Sequence, residues 1–326
     1  MATSCRTGNS FSRLNKEDTT VLHLDETTRL GVTGILYTVT DVDGGRTEEQ
    51  ERFLEALARH VMRVPPREAP IVTAAEAAQV VADKPLLCKG IGELLVTLEL
   101  MRHPASLALT QRVEEYLAAL GIDDGFQQLA ADYLVNDRKH IERDWERIRQ
   151  PDLEESFIAG LSDDDVGARM QALEDLPAGS LGRTLFDFYR RNGFSFVPDD
   201  EPDQGSLVPH DLTHVLAGYG TTAEAEIALQ AFMVGAARGE KHFSSLAASL
   251  LLFEVGMMPF PGIEATEGVL GRPGAAELVA TAIARGLQCA GDIEGDHAHL
   301  LPLPLAEVRS KLGIPEPDPG PHMFIL

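Results

Sequence analysis

The chain has 326 residues, 44% of them hydrophobic and 24% charged, which is typical of a folded protein and too apolar for a wholly disordered one. Its 28 Lys and Arg stand against 51 Asp and Glu, so a net charge of -23 repels a phosphate backbone over most of the surface. We therefore expect no nucleic-acid partner. Three widely spaced cysteines favour a reducing compartment such as the cytoplasm over a disulfide framework.

The chain is longer than a single hydrophobic core usually allows, so we expect two domains. The expected boundary is the acidic, loop-rich segment between residues 147 and 180. The start of the chain carries no apolar run of the kind that marks a signal peptide. The predicted segments are a disordered leader (1–20), a helical accessory domain (21–150), a second helical domain (151–316) and a mobile Pro-rich tail (317–326).

Helical spacing of apolar residues recurs along the chain, and few stretches alternate with period two, which predicts an all-α fold. A short apolar stretch at 34–39 precedes an Asp-Gly turn and a helix that Thr47 and Gln50 open in capping-box spacing and Pro65 closes. Further helices are predicted at residues 74–81, 91–101, 106–120 and 126–136.

The acidic turn, the charged helix after it and a second helical hairpin containing YLAALGIDD (116–124) resemble the TerB-like helical domains. The resemblance implies a helical accessory domain and leaves its task open. Further along, the most lipophilic segment (246–260) is interrupted by Glu254 and is shorter than the roughly 20 residues of a bilayer crossing. It is interpreted as a core helix or the wall of an apolar cavity.

The segment VPHDLTHVLAGYG (208–220) contains the residues best suited to bind a metal ion. Pro209 suits the first turn of a helix, where its missing amide hydrogen is not needed. In that helix His210 and His214 lie one turn apart, and Asp211 lies within about 100° of both. All three side chains can therefore face one point.

Two glycines, Gly218 and Gly220, end this helix, and Thr221 with Glu224 has the spacing of a capping box that begins the next one. Such a short connection predicts an antiparallel hairpin. His214 and Glu226 then lie at the same level, each roughly 6 Å from the turn at about 1.5 Å per residue. An imidazole and a carboxylate from facing helices can share one cation at that level.

Burial supports the same interpretation, because Glu226 interrupts the apolar run AEIALQAFMV and a lone buried carboxylate is costly. Three alternatives stay open. The histidines can be surface or core residues with ordinary hydrogen bonds, and Glu226 can lie at an exposed helix start. The His-Asp pair also has the pattern of the HD phosphohydrolases, which need further ligands that the sequence does not place.

His-Asp-x-x-His followed by eleven residues and Glu is the motif of the Coq-four family of coenzyme Q biosynthesis proteins, which residues 160–315 resemble. Here the motif consists of His210, Asp211, His214 and Glu226. The flanking text of the family is matched by LPAGSLGRTLFDFYRRNGF (176–194), EIALQAFMVG (226–235), the pair Arg285-Gly286 and PLAEVRSKLGI (304–314).

The resemblance implies an all-helical protein that binds a polyprenylated quinone precursor or other isoprenoid lipid and promotes oxidative decarboxylation of the ring. It implies a divalent metal, zinc first and iron as the alternative, held by the four motif residues, with His210 and Asp211 also catalytic. It further implies other quinone-biosynthesis proteins as partners, a homo-oligomer and a place peripheral to the inner membrane. A lipid-binding scaffold with a structural metal, or a repurposed family member, is the alternative.

The sequence also departs from the family. The segment before the His-Asp pair is short, and Trp145 is the only tryptophan, so the one expected near the C-terminus is missing. Asp296, His297 and His299 stand in that neighbourhood, as extra ligands or as exposed loop residues. These differences bear on the substrate more than on the fold.

Overall fold

Helices make up the framework of this chain in a computed structural model. The described residues are 24–123, 125, 133, 163–196, 208–237, 240–257, 263–293, 297–317 and 319–323. Within these ranges lie twelve α-helices, and extended pairing is limited to isolated bridges. The predicted all-α fold is confirmed.

The helices of the first half are α1 (Glu26–Thr40), α2 (Glu48–Leu57), α3 (Ala74–Val80), α4 (Pro85–Leu100) and α5 (Leu107–Leu120). Those of the second half are α6 (Asp163–Ala172), α7 (Leu181–Asn192), α8 (Val208–Ala217), α9 (Ala223–Ala236), α10 (Glu240–Ser249), α11 (Ala275–Gly286) and α12 (Leu305–Leu312). A π-helical turn follows α2 at Ala58–Met62, and another follows α10 at Leu250–Glu254.

Helices α2, α3 and α5 begin close to their predicted starts, whereas α4, predicted from residue 91, begins at Pro85. The predicted capping box forms at α2, where the Thr47 side chain accepts from the Gln50 amide and the Gln50 side chain accepts from the Thr47 amide. The apolar stretch at 34–39 is the second half of α1. The predicted leader and the predicted helix at 126–136 lie outside the described residues, apart from Tyr133, which is helical.

Buried side chains from both halves of the chain belong to one hydrophobic cluster. In particular, α2 of the first half packs against α11 of the second. The division into two domains at about residue 150 stays a prediction.

Helices α9 and α11 run side by side in the same direction. Arg272, just before α11, binds Glu224 at the start of α9 with a 2.8 Å contact, and the far ends meet at Gly235 and Gly286. A β-carbon built on Gly286 would lie 2.1 Å from the Phe232 carbonyl oxygen, so only glycine permits this backbone approach. The close contact fixes α9, which carries Glu226.

The lipophilic segment predicted to be core is buried where it is described, from residue 246 to 257, while 258–260 lie outside the described residues. Its Glu254 is fully buried, accepts from the Leu270 amide at 2.7 Å and contacts the His103 Nε2 at 2.9 Å. Among the described helices, none is both long enough and apolar enough to span a bilayer.

Candidate metal centre

The first side of the site is α8, which ends at Gly218 with a left-handed φ of 81° and a 2.7 Å hydrogen bond from its amide to the His214 carbonyl. As predicted, the helix brings His210, Asp211 and His214 together. One ligand atom from each lies within 4.8 Å of the others. These three side chains form the candidate metal-binding group in the part of the chain that the structure describes.

The return helix α9 begins one residue later than predicted. Its cap is Thr222, whose side chain accepts from the Ala225 amide, and not Thr221, which donates to Asn192. The predicted capping box of Thr221 with Glu224 is therefore wrong. In the turn before Thr222, the Gly220 amide donates to the His322 carbonyl of the C-terminal segment at 2.9 Å.

Glu226 nevertheless faces α8, as the spacing argument required. Its Oε2 lies 3.3 Å from the His210 Nε2 and 3.4 Å from the His214 Nε2. The two Nε2 atoms are 3.0 Å apart. Three donor atoms from two helices therefore form a nearly equilateral triangle.

Two sides of this triangle fit a metal better than they fit hydrogen bonds, whereas the third, between the two Nε2 atoms at 3.0 Å, is also of hydrogen-bond length. Donors at 2.0 to 2.1 Å from a tetrahedral zinc are separated by about 3.3 Å. A charge-assisted hydrogen bond between imidazolium and carboxylate is about 2.7 to 2.9 Å long. The two imidazole-carboxylate distances, 3.3 and 3.4 Å, match the first value.

His214 is oriented by the backbone. Its Nδ1 lies 3.2 Å from the Tyr219 carbonyl, which can only accept, so the Nδ1 donates and the Nε2 is the ring nitrogen that faces Glu226 and His210. The ring is 1% exposed and stacks on Phe188 at a centroid distance of 5.5 Å. The orientation of His214 is thus fixed with its Nε2 toward the centre.

His210 is the more accessible of the two, with 33% of its side chain exposed. Its Nδ1 lies 3.4 Å from the Gln230 side-chain nitrogen, one turn beyond Glu226 on α9. Burial works to lower the pKa of His210, but the neighbouring Glu226 carboxylate outweighs it and the pKa is raised. The imidazole therefore holds a proton more readily than an isolated histidine.

The pKa values of the two carboxylates, Glu226 and Asp211, shift in opposite directions. Burial works to raise the pKa of Glu226, but His214 and His210 outweigh it and the pKa lies below its ordinary range. Burial raises the pKa of Asp211, and His210 offsets this only in part. Glu226 is the better anion of the two, so we rank it first as a carboxylate ligand.

Asp211 has a partner that sequence reasoning missed. The Tyr189 hydroxyl of α7 donates to its Oδ2 at 2.5 Å. Burial, and then Asp211 itself, raise the pKa of Tyr189, so the hydroxyl keeps its proton. The available signal was a tyrosine on the buried face of an amphipathic helix, whose hydroxyl needs a partner.

The far end of α8 is braced by two arginines that sequence reasoning noted without assigning a role. Arg309 donates to the Leu216 and Val215 carbonyls at 2.9 and 3.0 Å, and Arg285 donates to the Ala217 carbonyl at 2.9 Å. Cations at a helix C-terminus satisfy its last carbonyls and oppose its dipole. The ligand-bearing helix is thereby fixed at the end nearest His214.

The C-terminal segment, predicted to be a mobile tail, contacts the α8–α9 turn in its described part. The His322 carbonyl accepts from the Gly220 amide at 2.9 Å, and Met323 forms an extended bridge with Tyr219. These contacts hold the residue whose carbonyl orients His214. Mobility of residues 317–326 stays a prediction.

The three extra candidates near the C-terminus do not join the centre as far as they are described. His297 is buried, and its Nε2 donates to the Ile293 carbonyl at 2.8 Å. His299 is exposed, and Asp296 lies outside the described residues. Neither described histidine belongs to the clustered group.

Fold and centre together define an all-helical protein with a histidine-carboxylate site suited to a divalent cation. No family model matches the chain. No curated protein matches it either. Among solved structures, a protein of Nostoc punctiforme provisionally titled a ubiquinone biosynthesis protein is similar, at 19% identity and a TM-score of 0.32, over 70% of this chain and 99% of that one. A TM-score this low does not establish a common fold.

Proposed function

We propose that this chain binds one divalent metal ion between α8 and α9, with His210, His214 and Glu226 as ligands and Asp211 as the fourth. Zinc is the first choice, because two imidazoles and carboxylates at tetrahedral spacing suit it, and iron is the alternative. The observation that carries the proposal is the donor triangle of 3.0, 3.3 and 3.4 Å.

A bound ion of this kind supplies a Lewis acid for a carboxylate or phenol oxygen. The chain's own residues prepare the place for it. The contact of the His214 Nδ1 with the Tyr219 carbonyl directs the Nε2 toward the centre, and Glu226 stays ionised because its pKa is low. His210 is the exposed edge of the centre, so we assign His210, with its neighbour Asp211, to substrate contact.

We further propose that the substrate is a polyprenylated quinone precursor or a related isoprenoid lipid, and that the reaction is oxidative decarboxylation of its ring. The ring carboxyl leaves as CO2, a hydroxyl takes its place, and an external two-electron oxidant accepts the electrons, because zinc cannot. The support is the resemblance of the motif and its flanking text to the Coq-four family. The flanking text forms α7, α9 and α12, and all three helices contact α8. The segments that carry the resemblance therefore surround the motif in space. Other quinone-biosynthesis proteins and a second copy of the chain are the partners we expect.

A scaffold with a structural metal is the second candidate. Two imidazoles and two carboxylates are enough to close a tetrahedral site, as in structural zinc centres. In that case the ion joins α8 to α9 and does not touch a substrate. A family member that serves another pathway would keep the same centre and bind a different lipid.

Metal content of the purified chain tests the centre. We expect about one equivalent of zinc or iron in the wild type and its loss in His214→Ala and Glu226→Gln, because each removes one donor of the triangle. His299→Ala, which removes an exposed histidine outside the centre, should keep the metal. Equal metal content in wild type and His214→Ala would rule the centre out.

Chelation separates the two candidates. Under either candidate, metal removal should lower the melting temperature, because an ion that binds the folded state stabilises it. The candidates differ in turnover of a prenylated ring-carboxylate substrate: turnover should be lost on metal removal and return with added metal if the ion serves substrate contact, and should be absent even with metal if the ion is only structural. Mass spectrometry of lipid co-purified with wild type and His210→Ala shows whether an isoprenoid is bound at all.

A further inference from the structure

The hydrogen bond between Tyr189 and Asp211 is the best-supported contact of the centre outside its donor triangle. Both side chains are buried, at 4% and 7% exposure. The 2.5 Å separation of the hydroxyl from the Asp211 Oδ2 is that of a strong bond to an anionic oxygen. Asp211 is therefore not a side chain that swings into solvent.

Aromatic neighbours hold the Tyr189 ring in place. Phe196 stacks on it with centroids 5.6 Å apart and an interplanar angle of 11°. Phe194 meets it edge to face at 5.7 Å and 89°. The preceding residue, Phe188, stacks on His214, so adjacent residues of α7 contact two different motif side chains. Helix α7 thus orients the centre without supplying a ligand.

The consequence concerns the Asp211 carboxylate. A hydrogen bond to Oδ2 fixes the rotation of the carboxylate about its Cβ–Cγ bond and draws electron density from that oxygen. Turning both oxygens onto one cation would break the bond, at a cost raised by burial. A carboxylate held in this way contacts a cation through one oxygen.

We infer that Tyr189 is a positioning residue that keeps Asp211 a one-oxygen ligand, so that a fifth coordination position stays open for an oxygen of the substrate when the four-ligand ion expands its coordination. The inference rests on the metal centre proposed above. Without the hydroxyl, Asp211 can rotate and chelate, which would fill that position. Residues that orient metal ligands typically change metal affinity about 10- to 100-fold when they are removed.

The test is Co²⁺ titration of full-length, metal-depleted protein followed by visible absorption, comparing wild type, Tyr189→Phe and Tyr116→Phe. Tyr116 is the matched control, because it too is buried and its hydroxyl donates to a carbonyl, that of Val72, in the first half of the chain. We expect Tyr189→Phe to change Co²⁺ affinity about 10-fold and to weaken the d–d bands as the coordination number rises. Tyr116→Phe should match the wild type in both.

The outcomes separate the two claims. A wild-type protein that gives no Co²⁺ spectrum overturns the metal centre and this inference together. A wild type that binds, with Tyr189→Phe identical in affinity and spectrum, overturns only the role of Tyr189. Should Tyr189→Phe not fold, a crystal structure of Co²⁺-loaded wild type decides: both Asp211 oxygens on the ion would refute the inference, and one would support it.

Discussion

Replacing Gly286 by alanine tests how tightly α9 and α11 are packed. The new β-carbon would lie 2.1 Å from the Phe232 carbonyl oxygen and 2.8 Å from the Ala236 amide nitrogen. Ordinary contact begins near 3.4 Å, so the helices must separate by roughly 3.4 − 2.1 = 1.3 Å. Both obstacles are backbone atoms, which cannot move aside alone. We expect a loss of about 3 kcal/mol, at the upper end of overpacking costs.

Urea denaturation measures this loss as a midpoint about 1 M below the wild type, at a slope of about 3 kcal/mol per M. The matched control is Gly90→Ala in α4, where a β-carbon meets nothing within 4 Å. There alanine should stabilise by about 0.5 to 1 kcal/mol, because glycine is a poor helix former. Equal midpoints for Gly286→Ala and wild type would show that the close approach is not real.

Two further predictions concern buried carboxylates in the rest of the fold. Burial raises the pKa of Glu99 from 4.5 to about 7, against a hydrogen bond from Thr110, so stability falls as pH rises through this window, by about 3 kcal/mol. In Glu99→Gln the urea midpoint should therefore fall less between pH 5 and pH 8 than it does in the wild type. An unchanged pH dependence would contradict the assignment. His103→Ala leaves the fully buried Glu254 with the Leu270 amide alone and should cost about 3 kcal/mol. The double variant His103→Ala with Glu254→Leu should recover much of the lost stability. If His103→Ala alone is as stable as the double variant, the reasoning is refuted.

The grouping of the candidate ligands was accessible from sequence because it depends on local geometry. His210 and His214 share a face through helical periodicity alone, and a short turn places Glu226 opposite them at a level fixed by counting residues. The start of α9 was missed by one residue, Thr222 in place of Thr221, and the turn before it includes a hydrogen bond from the Gly220 amide to the His322 carbonyl, which is distant in sequence. Local rules carry no information about that bond.

The residues that orient the ligands were beyond sequence reasoning for the same reason. Tyr189 reaches Asp211 only because α7 docks on α8, and Arg309 reaches the end of α8 only because α12 does. Neither contact has a characteristic spacing. The flanking segments resemble those of a family in sequence, but that resemblance does not say what they do. Only the packing of the helices shows that these segments contact α8.

The charges at the centre show why ligation and packing belong together here. Two carboxylates, Asp211 and Glu226, lie within a short distance of the same pair of imidazoles in a site that is mostly removed from water. Two buried anions repel, and each must be offset by a proton, a hydrogen bond or a cation. Asp211 has Tyr189, while the contacts of Glu226 within the described residues are the two imidazole edges, at distances longer than good hydrogen bonds. A dication at the centre of the triangle would offset Glu226 and satisfy both Nε2 atoms in one step, which is the physical reason we favour a metal over a purely hydrogen-bonded cluster.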